Sequence, residues 1–203
     1  MTKPQIKRGD QLVLASHNQG KLAEFQALFA ASGVDIKSAA AFDLPEPDED
    51  ADSFEGNARI KALAAAQATG LPALADDSGF CVTSLNGQPG IHSARWGGVR
   101  QDFAHAMQRV HDEMGEATDK RAAFVTVLCL AWPDGRAYFV EGRCDGQVAW
   151  PPKGENGHGY DPIFIPNGET RRFAEMTDAE KNAISHRGRA LRQFMDIYVA
   201  PDA

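Results

Sequence analysis

The sequence is short of cysteine, of positive charge and of long apolar runs, and each shortage removes a class of function. Cys81, Cys129 and Cys144 are odd in number, lie in or beside apolar stretches and form no CxxC pair. They read as reduced thiols, with Cys129 in the core, in a reducing compartment. Lys and Arg total 21 against 28 Asp and Glu, a formal charge of −7. A broad nucleic-acid-binding face needs a basic patch, so no nucleic-acid partner is expected. A small phosphate ligand held by a few local Lys and Arg is still compatible with this balance. No apolar run is long enough for a membrane span, and Met1–Gln11 is polar without an apolar h-region, so neither membrane nor secretory signal is expected. No internal repeat and no low-complexity tract occurs. What remains is 203 residues, 43% of them hydrophobic, enough for one substantial core and one domain.

The chain is organised around Leu71–Gly79. An apolar run, Ala73–Ala75, ends at Asp76 and Asp77 and is bounded by Pro72 and Gly79, which suits a short buried strand. The two carboxylates would sit where that strand leaves the sheet, the edge at which open α/β sheets bind ligands. Neighbouring Asp repel unless a cation, a proton or a basic side chain separates them. A hard cation such as Mg²⁺ is the usual solution. On these residues alone, a plain Asp-Ser-Gly turn stands level with the ligand site.

Around this centre the chain alternates strands and helices. Leu12–Ala15 reads as a strand, followed by the polar loop Ser16-His17-Asn18-Gln19-Gly20-Lys21 and a helix marked by Leu22, Phe25, Leu28 and Phe29. Ser32-Gly33 closes that helix. Helix N-termini bind anions, and Lys21 adds a full charge in the first turn. The loop is not a Walker motif: Ala15 replaces the first Gly, and Leu22 replaces the hydroxyl that would hold the metal. Val34–Ser38 is a second strand. Leu44–Asp52 is an acidic, Pro-broken loop, most simply solvated, with a metal ligand as its functional reading. Asp52-Ser53-Phe54-Glu55 resembles a capping box with Asp52 as the cap, opening an Ala-rich helix to Thr69. Asn57 and Lys61 lie one turn apart on it and could face the site, although surface exposure is the simpler expectation for Lys61.

Phe80–Leu85 with the Asn86-Gly87 turn suggests a hairpin arm. Gly90–Gly98 is an irregular loop. Phe103, Met107, Val110 and Met114 mark an amphipathic helix whose stripe reads as core. Ala122–Trp132 suits a central strand, turned back by Pro133-Asp134-Gly135 into Arg136–Arg143. Val148–Trp150 and Ile163-Phe164-Ile165 read as short strands on either side of a glycine-rich loop. Thr177-Asp178-Ala179-Glu180 is a capping box, so a helix starts there. On one continuous helix Lys181 and Arg187 would point about 120° apart. If both meet one ligand, the helix should break near Ser185, with Ser185 as the next N-cap.

Several of these stretches match one family in order: Ser16–Lys21, Ser53-Phe54-Glu55-Gly56-Asn57-Ala58, Ala75-Asp76-Asp77-Ser78-Gly79, Pro89–Arg95, Gly157-His158-Gly159-Tyr160-Asp161-Pro162-Ile163-Phe164 and Lys181–Gly188. Through them the chain, from Leu12 to about Phe194, resembles the non-canonical purine nucleoside triphosphate pyrophosphatases, the inosine and xanthosine triphosphate pyrophosphatase family. The resemblance implies an α/β fold: a long twisted mixed β-sheet flanked by helices, in two lobes of one domain with the active site in the cleft between them. It implies a cytosolic, homodimeric, Mg²⁺-dependent hydrolase that converts ITP, dITP and XTP to the monophosphate and pyrophosphate. By position, Asp77 is then the general base and a metal ligand, and Glu49 the other metal carboxylate. Ser16, His17, Asn18, Gln19, Gly20, Lys21 and Lys181 hold the triphosphate. Ser78, His158, Gly159, Tyr160, Asp161, His186 and Arg187 surround the nucleotide.

Two positions depart from the family pattern. His158 stands where many relatives carry Phe, a position expected to stack on the base. Gly56 stands where relatives often carry Glu, so Glu55 or the acidic loop would have to substitute in shaping the metal site. Rival readings are a related pyrophosphatase acting on modified pyrimidine triphosphates and a catalytically silent nucleotide-binding module. A dinucleotide oxidoreductase would need G-x-G-x-x-G after the first strand, which is missing.

Overall fold

The computed structural model describes residues 4–17, 21–22, 25–26, 29–98 and 102–200. The loop positions Asn18, Gln19 and Gly20 lie outside the described residues. The architecture is α/β. Among the described residues, seven strands form one mixed sheet: β1 (Gln11–Leu14), β2 (Asp35–Ser38), β3 (Ala73–Val82), β4 (Pro89–Gly90), β5 (Arg121–Ala131), β6 (Ala137–Val148) and β7 (Phe164–Pro166). Their order is β2-β1-β3-β5-β6-β7, with β4 paired to β3. β1 runs parallel to β2 and β3, whereas β4 on β3 and β7 on β6 are antiparallel. Four described helices accompany the sheet: α1 (Phe54–Thr69), α2 (Phe103–Met114), α3 (Asp178–Ile184) and α4 (His186–Tyr198). Among the described residues, no helix is long and apolar enough to cross a membrane.

The chain divides into two compact units. The first comprises Met1–Asp77, Val127–Glu141 and Ala190–Ala203; the second comprises Ser78–Thr126 and Gly142–Arg189. In the first, Ala58, Ala62, Ala65 and Ala66 of α1 are buried with Val13, Ala73, Ala75 and Cys129. Small side chains let that helix lie close to the strands. A larger-residue cluster containing Leu12, Phe25, Phe29, Leu130, Leu191 and Phe194 completes this unit's core. In the second unit, the stripe of α2 packs with Phe80, Phe124, Phe164 and Phe173, as its helical spacing predicts.

The structure corrects several boundaries. β3 does not end at Asp76 and Asp77: it runs ten residues and carries both carboxylates, Ser78 and Gly79 within it. Partners contributed from elsewhere in the chain satisfy the polar residues, so the apolar pattern stops before the strand does. The hairpin after it is looser than an Asn-Gly turn. A 3₁₀ turn at Thr83–Leu85 precedes Asn86, which is left-handed at φ 54°, and Phe80 then pairs with Gly90. The α1 cap is Ser53, not Asp52; its side chain accepts from the Gly56 N–H. Val148–Trp150 is no separate strand, because β6 continues unbroken from Ala137 to Val148. The break before α4 falls at Ser185, whose extended backbone ends α3 and whose hydroxyl accepts from the Gly188 N–H at 3.1 Å.

Candidate functional site

In the first unit a pleated strand and one helix face gather the charged groups. Successive side chains along a strand point to opposite faces, and Asp76 and Asp77 take different partners. Lys21 Nζ donates to both oxygens of Asp76, at 2.8 and 2.9 Å. Asn57 Nδ2 donates to Asp77 Oδ2 at 3.1 Å. One turn further along α1, Lys61 Nζ lies 2.7 Å from Glu49 Oε1 and 3.9 Å from Asp77 Oδ1. Lys61 is therefore not a surface side chain: only 15% of it is exposed. Its i, i+4 spacing from Asn57, just after a capping box, was the sequence signal for this role.

The acidic loop is tied down at both ends. Asn57 Oδ1 accepts the Ala51 N–H at 3.1 Å. His17 Nε2 donates to the Leu44 carbonyl at 2.8 Å, and its Nδ1 lies 3.2 Å from Glu46 Oε1. Ser16, half-buried beside it, donates its backbone N–H to the Leu14 carbonyl. Burial pushes the Asp77 carboxyl above the ordinary Asp value; Lys61 and Asn57 oppose that, while Glu49 and Asp76 add to it. For Lys61, burial works against the charge, but Asp76, Glu49 and Asp77 outweigh it and hold the ammonium above its ordinary value.

Among the described residues, no three His, Cys, Asp or Glu gather closely enough to hold a metal ion. Glu49 and Asp77 are two oxygen donors that share one ammonium. That set fits Mg²⁺, which takes one or two carboxylates and fills its other positions with water and substrate phosphate rather than with an all-protein cage.

The second unit holds the remaining expected residues. Asp161 is buried; it accepts the His158 N–H at 2.6 Å and an ion-paired hydrogen bond from Lys181 Nζ. Tyr160 is also buried, its hydroxyl donating to the Ser93 carbonyl at 2.9 Å and its ring stacked on Phe80. Its side chain belongs to the core, which leaves backbone as what it offers a ligand. His158 is exposed, with Phe103 edge-on to its ring at 4.7 Å. The two rings, with Met107, Gly157, Gly159 and Pro162, line a cavity of about 270 Å³. Phe103 packs against this unit's core, as the helical stripe predicts, and it also lines the cavity, for which the stripe has no signature. His186 is buried and stacked on Phe124 at 4.9 Å, Arg187 follows half-buried in the first turn of α4, and the Ser78 hydroxyl sits 2.6 Å from that of Thr126.

A family model described as the Ham1 family matches residues 12–197. A dITP/XTP pyrophosphatase of Gluconobacter oxydans (strain 621H) is 62% identical over 192 residues, covering 95% of this chain and 92% of the relative. One of Rhodospirillum centenum (strain ATCC 51521 / SW) is 53% identical over 198 residues, covering 96% and 98%. Among solved structures, a HAM1 protein from Coxiella burnetii superposes with a TM-score of 0.89 at 40% identity, over 93% of this chain and 98% of that one.

Proposed function

This chain belongs to the Ham1 family, and on that premise we propose that it is a nucleoside triphosphate pyrophosphohydrolase acting on deaminated purines. Its substrates are ITP, dITP and XTP; its products are the monophosphate and pyrophosphate. The dITP/XTP pyrophosphatase activity of the relatives supports the substrate class. The observation that carries the reaction is the group of half-buried Glu49 and Lys61 with buried Asn57 and Asp77, a constellation built to handle a cation and a water rather than a covalent nucleophile. The polypeptide acts as a Mg²⁺-dependent homodimer in the cytoplasm.

Each residue set is assigned its own part of the substrate. Bound at Glu49 and Asp77, Mg²⁺ would withdraw charge from the phosphate chain and so favour loss of pyrophosphate. Asp77, oriented by Asn57, accepts the proton of the attacking water at a carboxylate oxygen. Lys21 and Lys181 meet phosphate oxygens, each already oriented by a buried carboxylate, Asp76 or Asp161. Ser16 and His17 belong to the same phosphate loop, as do Asn18, Gln19 and Gly20. The His158 ring, braced by Phe103, stacks on the base above the cavity, with Gly159, Tyr160 and Asp161 forming its backbone frame. Ser78, His186 and Arg187 complete the nucleotide contacts.

The test is product analysis with Mg²⁺ across ITP, dITP, XTP, the four ordinary nucleotides and modified pyrimidine triphosphates. Pyrophosphate released in equal amount to IMP or XMP is the expected result. Orthophosphate release, preference for a pyrimidine, or saturable binding with the triphosphate intact would each overturn it.

A further inference from the structure

We propose that Lys61 serves as the resident counter-ion of Glu49 and Asp77, keeping free divalent metal off these carboxylates so that metal arrives with its triphosphate. The inference rests on the assignment of Glu49 and Asp77 as metal-holding carboxylates. Lys61 Nζ contacts Glu49 at 2.7 Å and lies 3.9 Å from Asp77, with most of the side chain enclosed. Its position is not incidental, because the same face of α1 carries Asn57, which grips both Asp77 and the backbone of the acidic loop. Glu49, Lys61 and Asp77 are thus held to one another by a single helix turn. The neighbouring ammonium, Lys21, engages both oxygens of Asp76. Among the described contacts, Glu49, Asp76 and Asp77 meet two ammonium groups before any metal enters.

A divalent ion reaching this site alone must displace Lys61 from Glu49 or sit beside it, and it gives up several waters for two protein oxygens. A metal carried on a triphosphate meets different terms. The phosphate oxygens supply part of its coordination, and their negative charge offers the displaced ammonium a new partner. Lys61 then passes from Glu49 to the phosphate chain as the metal takes its place. The arrangement selects the metal–nucleotide complex over either component, without a larger ligand set.

The test is a titration of the whole protein with Mn²⁺ alone, followed by electron paramagnetic resonance of the unbound ion, in wild type and Lys61→Met. Removing one ammonium a few ångströms from the metal should tighten binding by about tenfold or more, given the strength of charge interactions at this range in a partly buried site. Repeated with the imido analogue of ITP, the titration should show the advantage of the variant closing or reversing. A residue acting only as a structural ion pair would lower the melting temperature in Lys61→Met without tightening Mn²⁺. If Lys61→Met binds Mn²⁺ alone no more tightly than wild type, while the analogue still brings Mn²⁺ onto wild type, the counter-ion inference falls and the metal assignment stands. If Mn²⁺ binds neither protein even with the analogue, the metal assignment falls and the inference with it. Should Lys61→Met fail to fold by circular dichroism, Lys61→Gln carries the same comparison.

Discussion

Lys21 and Asp76, 55 positions apart in sequence, form a two-pronged ion pair in which the Lys side chain is 26% exposed and the Asp side chain 2%. The asymmetry sets the cost of breaking it. Lys21→Ala removes the hydrogen-bonded ammonium from a carboxylate inside the fold, and loss of one partner of a buried pair costs about 3 kcal/mol or more. The double variant Lys21→Met/Asp76→Leu should recover most of that loss, because the carboxylate leaves with its hydrogen-bonded partner. Equilibrium urea unfolding of the single and double variants measures the difference. For binding, Lys21→Ala should weaken ITP more than IMP; equal losses would remove Lys21 from the triphosphate.

Asp77→Asn separates chemistry from folding. Asn retains the shape and can still meet Asn57 across the 3.1 Å contact, but it cannot take a proton from water. Removing a general base costs about 10²–10⁴-fold in turnover, and a weakened metal ligand adds to that. Stability should hold or rise, since burial already disfavours the ionised carboxyl. Steady-state kcat at saturating Mg²⁺, with a melting curve as control, checks both halves. Near-normal kcat would move the base elsewhere.

Gly56 is in close contact with the loop that carries Glu49. A Cβ at position 56 would meet Ala51 Cβ at 2.5 Å and Ser53 Oγ at 3.1 Å, and the Ala51 N–H is bonded to Asn57. Gly56→Ala improves helix propensity by about 1 kcal/mol, yet the contact forces a backbone shift of the kind that costs about 1–3 kcal/mol. A net loss of stability is expected, and Ala51→Gly should rescue it by removing the opposing methyl. A larger drop in kcat than in melting temperature would show that the loop, and Glu49 with it, had moved. The space beside residue 56 is filled by Ala51.

What was legible in the sequence divides along locality. The Ser185 break could be read only on the condition that Lys181 and Arg187 meet one ligand, which their angles on one continuous helix oppose; the stripe of α2 could be read because it repeats every three to four residues. The alternation of strands and helices gave the α/β architecture, and the matching motifs gave the family. The extent of β3 was hidden, because the partners that allow charged and polar residues inside it come from far along the chain: Lys21 for Asp76, Asn57 for Asp77, Thr126 for Ser78. Lys61 is hidden for the same reason. A lysine about two turns from the start of a helix looks solvated until a loop brings Glu49 to within 2.7 Å of it.

The helix that carries Lys181 should loosen in acid. Glu180 accepts from both the backbone N–H and the hydroxyl of Thr177, at 2.8 and 2.9 Å, and pairs with Arg171. These contacts, the backbone hydrogen bond foremost, lower its pKa from 4.5 to about 2. A carboxylate depressed on folding stabilises the folded state above its unfolded pKa and loses that contribution as pH falls through the folded one. Wild type should therefore exceed Glu180→Gln in stability at pH 6, and the gap should narrow between pH 4.5 and about 2. Urea midpoints across that range test it; a gap independent of pH would assign the effect to packing rather than to the charged cap.

Discrimination between ITP and ATP should depend on the start of α4. Hypoxanthine and xanthine carry an acceptor oxygen at C6, whereas adenine carries an amino donor. A helix start presents N–H groups, and in the proposed site His186 and Arg187 occupy the first turn of α4, with Ser185 capping it and His186 fixed against Phe124. Donors aimed at C6 are satisfied by oxygen and opposed by an amino group. A buried polar group left unpaired by the wrong substrate can reject it by as much as about 10⁴–10⁵-fold. GTP shares the C6 oxygen, so its rejection must arise at C2, where XTP carries an oxygen and GTP an amino group. The expected order is ITP, dITP and XTP well ahead of GTP, with ATP last. Arg187→Ala should lower kcat/KM for ITP far more than for ATP and so compress their ratio. An unchanged ratio in that variant would place the discrimination at the His158 side of the base instead.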